Sequence, residues 1–468
     1  MTTDEIRALE PNARRRLQRF ADCFKRAPVF DYFVNYSLGL LAHFDRKSIE
    51  PIALWIGAAV RTLQLFLSQF VWDHARIESR LRRAIMDEYG DENAIGVIDG
   101  SAHAKQGDKT PGVQRQWCGE SGKIDNCVVG QHLIYTDNDV KNPFSACIAS
   151  DVYLPESWIK DAVRRKEAHI PEDAVFRTKW QIAADQVDAC LADGVRFSWI
   201  TCDEEYTSVP EFIYRMDRSG QRLIGEVRSN FRCWATRPAC RSTQAAHASK
   251  QVENLCRFSP AFRKQPWRRV HIKDTTRGAC VWEIKSARVY LVAKDDEGEP
   301  CPTDRSYWLI IARNTETGEI KYFVSNASES MALEEMLRVA FALARGDVVR
   351  TRQAGLRLRG VRGADLPELD SSLALFANRH VHPGDRDDTT AGEKIRRSPW
   401  SRWSEHSGPS CNGRLNPIPT SSNYSQPSTR TTKNATERPT TAENAEQKRS
   451  PPVLKTASST EFVGRFWA

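Results

Sequence analysis

The sequence has no hydrophobic run long enough to cross a membrane. Its most apolar N-terminal stretch, residues 51–60, ends at Arg61 and falls well short of the roughly 20 residues that a spanning helix requires. The opening sequence, MTTDEIRALEPNARRRLQ, contains no apolar core of a secretory signal. We therefore expect a soluble intracellular protein without membrane contact.

Closely paired cysteines are also lacking. The 12 cysteines are scattered from Cys23 to Cys411, and no CxxC pair occurs among them. This spacing argues against a zinc cluster and against a small disulfide scaffold. Scattered, mostly buried thiols fit the reducing environment of the cytosol.

Acidic and hydrophobic residues are both in modest supply. Asp and Glu number 60 against 68 Lys and Arg, so the net charge is +8, which favours a polyanionic partner. Hydrophobic residues make up 40% of the 468 residues, a slightly low share that predicts an unpacked part of the chain.

The N-terminal region, residues 1–89, is predicted to be helical because its apolar residues recur at helix spacing. Five arginines are predicted to project from these helices: Arg61, Arg76, Arg80, Arg82 and Arg83. They indicate either a DNA-contacting bundle or an ordinary solvated face.

The spacing of the apolar residues changes after this region. Residues 94–98, 127–135, 144–154, 197–202 and 223–227 are predicted strands, and residues 178–191 and 210–217 are predicted helices. This order indicates an α/β class with a mixed sheet.

The next region, residues 231–325, combines a basic, aromatic stretch with a run of strands. The stretch from 231 to 270 contains Arg263, Lys264, Arg268 and Arg269, interleaved with Trp234, Phe258, Phe262 and Trp267. Such a mixture suits a phosphate backbone and exposed bases. The alternative is a basic loop over a β-rich insertion.

The C-terminal region, from about residue 345, loses all periodicity. Between 411 and 450 its only large aliphatics are Leu415 and Ile418, amid Ser, Thr, Pro, Asn and Arg. This composition cannot bury enough apolar surface to offset the entropy of ordering, so a disordered tail is predicted.

Two acids stand at the ends of predicted buried strands, Asp99 in AIGVIDG and Asp203 in FSWITCDEEY. Ligands usually bind at this edge of an α/β sheet. If the strands are neighbours, a divalent cation would relieve the repulsion between the carboxylates. The alternative is a pair of ordinary turn aspartates.

The residues around the two acids resemble a known family. The blocks are GSAHAKQGDKTPGVQRQWCGESGKIDNCVVG after Asp99, YLPESW at 153–158, and DEEY at 203–206. They are similar to the blocks of DDE transposases of bacterial insertion sequences, the DDE superfamily endonucleases. The similarity runs from about residue 14 to 341. This sequence differs from the family blocks at three places. Ser101–Ala102–His103 stands where the family has Thr–Gly–Phe, Trp117 where it has Tyr, and Thr207 where it has Gly.

The resemblance implies an RNase H-like fold with Asp99 as the first metal ligand and Asp203 as the second. It implies Mg²⁺ or Mn²⁺ as cofactor, duplex DNA of the element's terminal repeats as partner, a possible homodimer, and a place at the bacterial nucleoid. Lys105, Arg115 and Lys123 follow the first acid and could bind the DNA backbone near the scissile phosphate.

The periodicity and composition, together with the resemblance, give the predicted domains. They are a helical region at 1–89, an RNase H-like core at 90–230, a basic β-rich insertion at 231–325, the start of a late core helix at 326–344, and a tail at 345–468.

Other polar residues near the acids are predicted to be structural. His103 and His132 are interpreted as satisfied structural groups, and Cys118 and Cys127 as packed side chains. Glu204 is predicted to point to the strand face opposite Asp203 and is not taken as a third acid.

The family's third acid, a Glu that follows the late helix, has no counterpart. After residues 333–341 the sequence reads ALARGDVVRTRQ, where only Asp347 could replace it, and no helical pattern presents that residue. For residues 342–346 the codons GCG-TTG-GCG-CGT-GGA, read one base later and followed by a purine, encode Arg-Trp-Arg-Val-Glu. We therefore hypothesise a frameshift near Ala342 and an out-of-frame tail.

Two functions follow from these observations. One is a metal-dependent transposase, impaired because the third acid is missing. The other is a catalytically inactive DNA-binding remnant or the product of a pseudogene.

Overall fold

The computed structural model describes residues 3–341 except positions 43, 45–47, 71, 138–143, 169, 242–243, 246, 276–277 and 295–297. The predictions for the tail from residue 345, and for Asp347 within it, therefore lie outside the described residues.

The helices fall mainly in the N-terminal region and around the core sheet. They are α1 (Thr3–Leu17), a 3₁₀ helix (Gln18–Cys23), α2 (Ala27–Leu41), α3 (Ile49–Trp55), α4 (Val60–Ser68), α5 (His74–Tyr89), α6 (Glu156–Lys160), α7 (Ala162–Glu167), α8 (Lys179–Ala192), α9 (Glu204–Thr207), α10 (Pro210–Arg218), α11 (Val252–Phe258), α12 (Pro260–Arg263) and α13 (Leu333–Ala340). None of the helices in the described part of the chain combines the length and the apolar composition that a bilayer-spanning helix requires.

The strands form one large sheet and a small hairpin. They are β1 (Ile95–Ala104), β2 (Gln114–Cys118), β3 (Lys123–Thr136), β4 (Ser145–Val152), β5 (Trp199–Cys202), β6 (Leu223–Val227), β7 (Arg232–Trp234), β8 (Cys240–Arg241), β9 (Gln244–Ala245), β10 (Lys250–Gln251), β11 (Arg268–Thr275), β12 (Gly278–Lys294), β13 (Pro300–Pro302), β14 (Tyr307–Asn314) and β15 (Ile320–Ser325).

The core of the sheet is RNase H-like, as the resemblance implied. β1 runs parallel to β5, and β5 runs parallel to β6, while β3 is antiparallel to β1 and β4 is antiparallel to β3. The order is therefore β4–β3–β1–β5–β6. The first four residues of β1 are buried, which explains the continuous apolar run that the sequence shows there.

The strands of residues 231–325 extend this same sheet. β15 pairs with β6, β14 with β15, and β12 with β14, so hydrogen bonding continues from the core into the predicted insertion. Within the run of strands predicted there, β12 is one long strand that bridges β14 and the outer strands β7, β11 and β13.

The N-terminal helices pack around an aromatic cluster that includes Phe33, Phe66 and Trp72. The prediction that Arg82 projects from α5 is wrong, because this side chain is only 5% exposed. Its guanidinium donates to the Ile148 carbonyl of β4 at 2.9 Å and to Asp193 after α8 at 2.6 Å. A buried cation is tolerated where such partners satisfy it, and here they tie α5 to the core.

Candidate active site

Adjacent parallel strands bring Asp99 and Asp203 to the same sheet edge. Ile98 of β1 pairs with Cys202 of β5, so the next residue on each strand is one of the two aspartates. Asp99 accepts a hydrogen bond from the Gly100 amide at 2.8 Å. Asp203 caps the N-terminus of α9 and accepts from the Glu205 amide at 2.9 Å. The sheet register thus brings together the two acids that the sequence singled out.

Burial and mutual repulsion raise the proton affinity of both carboxyls. The pKa of Asp99 is raised to about 7, first by burial and then by the charge of Asp203. The pKa of Asp203 is raised to about 6 by burial and by neighbouring acids, Glu205 foremost, although the hydrogen bond from the Glu205 amide opposes the rise. The two carboxyls resist ionisation because their negative charges would lie side by side. A cation bound between them would therefore be stabilised.

Glu205 and Lys179 belong to the same site, and sequence reasoning did not single out either residue. The Lys179 ammonium, on the first residue of α8, pairs with the Glu205 carboxylate, and its nitrogen lies 5.8 Å from the centre of the Tyr153 ring. The signal for Glu205 was an Asp followed by two Glu residues, which is typical of a helix N-cap with an acidic first turn.

Glu204 lies outside the acid pair, but for a different reason from the predicted one. It begins the helix α9 and is not a strand residue, so strand alternation does not decide its direction. Its carboxylate lies 3.6 Å from the Arg228 guanidinium.

A glycine lets α9 approach the sheet. A methyl group at Gly225 of β6 would collide with the Thr207 side chain, and the Thr207 hydroxyl donates to the Asp203 carbonyl at 3.0 Å. The position of the second acid therefore depends on the close packing of Gly225 and Thr207.

The last described helix runs toward the acid pair. Near the start of α13, Glu335 accepts a hydrogen bond from the Trp199 indole at 3.1 Å, at the beginning of β5. Just after α13, the Phe341 ring lies 5.5 Å from that of Phe323, which pairs with Glu226 of β6. In the β5–β6 register Cys202 lies opposite Gly225, and Asp203 and Glu226 are the residues that follow them.

α13 also covers the face of the sheet on which Asp99 lies. Its apolar residues pack with Ile95 and Val97, which alternate along β1 with the same face as Asp99. The helix therefore leads the chain from the start of β5 to the edge where Asp203 stands.

A polar cluster extends from Asp99 across the sheet. His132 of β3 pairs with Asp99 in the register. One ring nitrogen of His132 lies 2.7 Å from the Ser101 hydroxyl and the other lies 2.6 Å from the Ser150 hydroxyl of β4. This histidine is a satisfied cross-strand group, as the sequence interpretation held, and it makes the face beside Asp99 hydrogen-bonding rather than apolar.

The donor set fits a hard divalent cation in part. Two partly buried carboxylates whose pKa values are raised present oxygen ligands of the kind that Mg²⁺ and Mn²⁺ prefer. Within residues 3–341, apart from the gaps given above, no group of three or more His, Cys, Asp or Glu side chains is arranged to hold a metal ion.

The predicted DNA-contacting residues fall into two groups on either side of the acids. Lys105, Arg115 and Lys123 lie on or next to the β2–β3 hairpin, and Lys123 pairs with Asp125 at 3.6 Å. Arg263, Lys264, Arg268 and Arg269 lie on α12 and β11 or between them. The sheet path from β2 to β11 crosses β3, β1, β5, β6, β15, β14 and β12, about 38 Å at roughly 4.8 Å per step.

Only part of the second group is available to a partner. Arg268 pairs with Glu334, and Arg269 lies 3.4 Å from Glu283. Arg263 and Lys264 are exposed and have no ion-pair partner in the described part of the chain. These two cations are therefore the freer contacts on this side of the sheet.

Comparisons with known proteins agree with the family that the sequence resembles. A relative, described as the probable transposase for insertion sequence element IS701 of Microchaete diplosiphon, is 25% identical over 215 residues, which cover 46% of this chain and 53% of the relative. The chain thus spans about half the length of this curated relative. The family model for DDE superfamily endonucleases matches residues 19–284, from the N-terminal helices through both aspartates to β12. The chain belongs to the DDE superfamily endonucleases.

Proposed function

We propose that this chain derives from the DDE transposase of a bacterial insertion sequence, which cuts and joins DNA at the ends of its element. Asp99 and Asp203 would hold the divalent cation, Mg²⁺ or Mn²⁺. The observation that carries the proposal is the convergence of these two carboxyls from adjacent strands, each with a raised pKa. Family membership and the likeness to the IS701 protein support it.

The chemistry of the site can be assigned to this chain's own residues. When bound, the cation would stabilise charge on the phosphodiester oxygens and promote ionisation of the attacking hydroxyl. Asp99 and Asp203 would hold it at the sheet edge. Lys179 neutralises Glu205, which limits the negative charge next to the acids. His132 and its serine partners present hydrogen-bonding groups on the same face.

The third acid that the resemblance implies would follow α13, outside the described residues. Because α13 leads toward Asp203, the segment just after Phe341 is where a carboxylate could complete the site. The sequence there carries no Glu. We propose that a frameshift near Ala342 removed it, so that the chain as written binds DNA but neither nicks nor joins element ends.

The cellular location and the assembly are proposed on the same grounds. We infer a place in the bacterial cytoplasm, associated with the nucleoid, and a homodimer that pairs two element ends. The second candidate function, a DNA-binding remnant without catalysis, is favoured by the sequence that follows Phe341, ALARGDVVRTRQ, which carries no Glu.

Two measurements separate these functions. In gel-shift titrations, the 468-residue chain should bind duplexes taken from the two ends of the element that carries its gene, and the affinity should fall as salt rises. Arg263→Glu with Lys264→Glu should weaken binding on all sequences. Affinity that does not respond to salt would contradict a DNA-binding surface of this kind.

Cleavage is tested on the same duplexes with Mg²⁺ or Mn²⁺. We expect no strand cleavage by the unmodified chain. Cleavage should appear when the reading frame near Ala342 is restored, and Asp99→Ala should abolish it again. Robust cleavage by the unmodified chain that is lost in Asp347→Ala would show that Asp347 is the third ligand and that the frameshift hypothesis is wrong.

A further inference from the structure

The β2–β3 hairpin exposes an apolar pair that the site described above does not use. The Trp117 side chain is 63% exposed and the Ile124 side chain is 60% exposed. The two residues are direct cross-strand partners, Trp117 on β2 and Ile124 on β3. They therefore form one contiguous apolar surface rather than two scattered contacts, and such surfaces mark interaction sites.

The charge on this face is positive. Arg115 lies two residues before Trp117 on the same side of β2, is exposed, and has no ion-pair partner in the described part of the chain. The hairpin's acids are engaged elsewhere. Asp125 alternates to the opposite face, where it pairs with Lys123, and the Glu120 carboxylate accepts the Ala104 amide at 3.1 Å. This face thus combines an aromatic side chain, an aliphatic side chain and an arginine that no acid in the described residues neutralises. Such a surface suits a polyanion that also offers aromatic rings.

The hairpin is held rigidly beneath this surface. Cys118 and Cys127 on the opposite face are fully buried and pack with Val129. The Asn126 side-chain amide donates to the carbonyls of Lys105 at 3.0 Å and Gly107 at 2.7 Å. Because the cysteines hold the hairpin on one face and the Asn126 hydrogen bonds hold it on the other, ordering the apolar pair against a ligand costs little conformational entropy.

The distance from the acids is fixed by the register of β3. Ile124 pairs with Trp117 and His132 pairs with Asp99. The eight residue steps from Ile124 to His132 correspond to about 26 Å at roughly 3.3 Å per residue. A duplex rises about 3.4 Å per base pair, so this span is about eight base pairs.

We propose that the Trp117–Ile124 pair stacks against an unstacked base of bound DNA, within about one helical turn of the acid pair, with Arg115 on the adjacent phosphate. This inference rests on the proposed function, since it takes DNA as the ligand. Aromatic side chains stack on bases of any sequence, and aliphatic side chains wedge between base steps and kink the duplex. The family resemblance has Tyr at the position of Trp117, which is also a stacking residue.

The test uses the full chain and element-end duplexes that carry 2-aminopurine at one position at a time. Binding should raise the fluorescence of a 2-aminopurine placed next to the displaced base, because that probe loses a stacking neighbour, while a probe at the displaced base itself stays quenched by its stack on the Trp117 indole. Trp117→Ala should abolish this rise and weaken binding by about 5- to 150-fold. Trp117→Tyr should retain both the rise and the affinity.

Two further variants serve as controls. Arg115→Ala should weaken binding without moving the fluorescent position. Val163→Ala removes another exposed apolar side chain, 70% exposed on α7, and should change neither readout. Far-UV circular dichroism checks that each variant is folded.

The outcomes separate this inference from the proposed function. Salt-dependent binding without a fluorescence rise, or with a rise that survives Trp117→Ala, overturns the stacking inference and leaves the transposase proposal intact. A chain that binds neither duplex overturns both. If Trp117→Ala instead converts a dimer to a monomer in sedimentation, the apolar pair is a contact between two copies, and the inference is wrong.

Discussion

Replacing Asp99 with Asn should stabilise the fold while it removes a ligand of the proposed site. The pKa of Asp99 is raised from 3.8 to about 7, mainly by burial and by the charge of Asp203. Since one pKa unit corresponds to about 1.36 kcal/mol, ionising Asp99 in the folded state costs about 4 kcal/mol. Asn is isosteric and its oxygen can still accept the Gly100 amide, so most of this cost should disappear.

The sign of the effect depends on pH. A carboxyl whose pKa is higher in the folded than in the unfolded state stabilises the fold below pH 4, and this contribution is lost as pH rises to about 7. The gain from Asp99→Asn should therefore be largest at pH 8, up to about 4 kcal/mol, and should vanish near pH 4.

Urea unfolding of both proteins at pH 4 and pH 8 measures this gain. Asp108→Asn, an exposed aspartate, is the matched control and should change stability by less than about 0.5 kcal/mol at either pH. Added Mg²⁺ should stabilise the unmodified chain by mass action and leave Asp99→Asn unaffected. A loss of stability at pH 8, or a gain that does not depend on pH, would refute the reasoning that burial and Asp203 oppose ionisation of Asp99.

Three further predictions concern the scaffold. Burial lowers the pKa of His74 from 6.5 to about 4. Protonation of His74 should therefore destabilise the fold by up to about 3 kcal/mol as pH falls from 6.5 to 4. In His74→Gln the urea midpoint should depend less on pH over this range. Arg82→Met should destabilise the fold by about 3 kcal/mol because it leaves Asp193 without its cation, whereas Arg83→Met, at an exposed position, should be near neutral in the same assay. Gly225→Ala should displace Thr207 and lower the thermal midpoint, and adding Thr207→Ala, which removes the colliding atoms, should recover part of the loss; a double variant no better than the single one would contradict this packing.

The elements that local sequence determines were predictable. The buried run before Asp99 identified β1, and the apolar run before Asp203 identified β5. Each pattern reflects burial of the strand on both faces, which one segment of sequence reveals by itself. The approach of the two acids then followed from strand order, since parallel neighbours end at the same edge.

The features that depend on distant partners were not predictable. Arg82 was predicted to project because charge on a helix is usually solvated, yet it is buried against Asp193, which lies over a hundred residues away in the sequence. The pairing of β15 with β6 likewise joins residues 320–325 to 223–227, so the apparent insertion is part of the core sheet. Local periodicity carries no information about either partner.

The stability of the fold depends on the apolar residues of α13. The proposed cleavage chemistry depends on an acid from the segment that follows this helix. The apolar residues Met336, Leu337 and Phe341 are buried against β1, β5 and β12, and they all precede the position where the family motif is lost. A change of reading frame at Ala342 would therefore leave this core intact, because its burial is complete before the altered sequence begins. The third carboxylate, by contrast, is proposed to come from the segment after Phe341. Under the proposed function, we therefore expect stability and DNA binding to outlast catalysis in such a chain, because the buried residues of α13 precede the altered sequence.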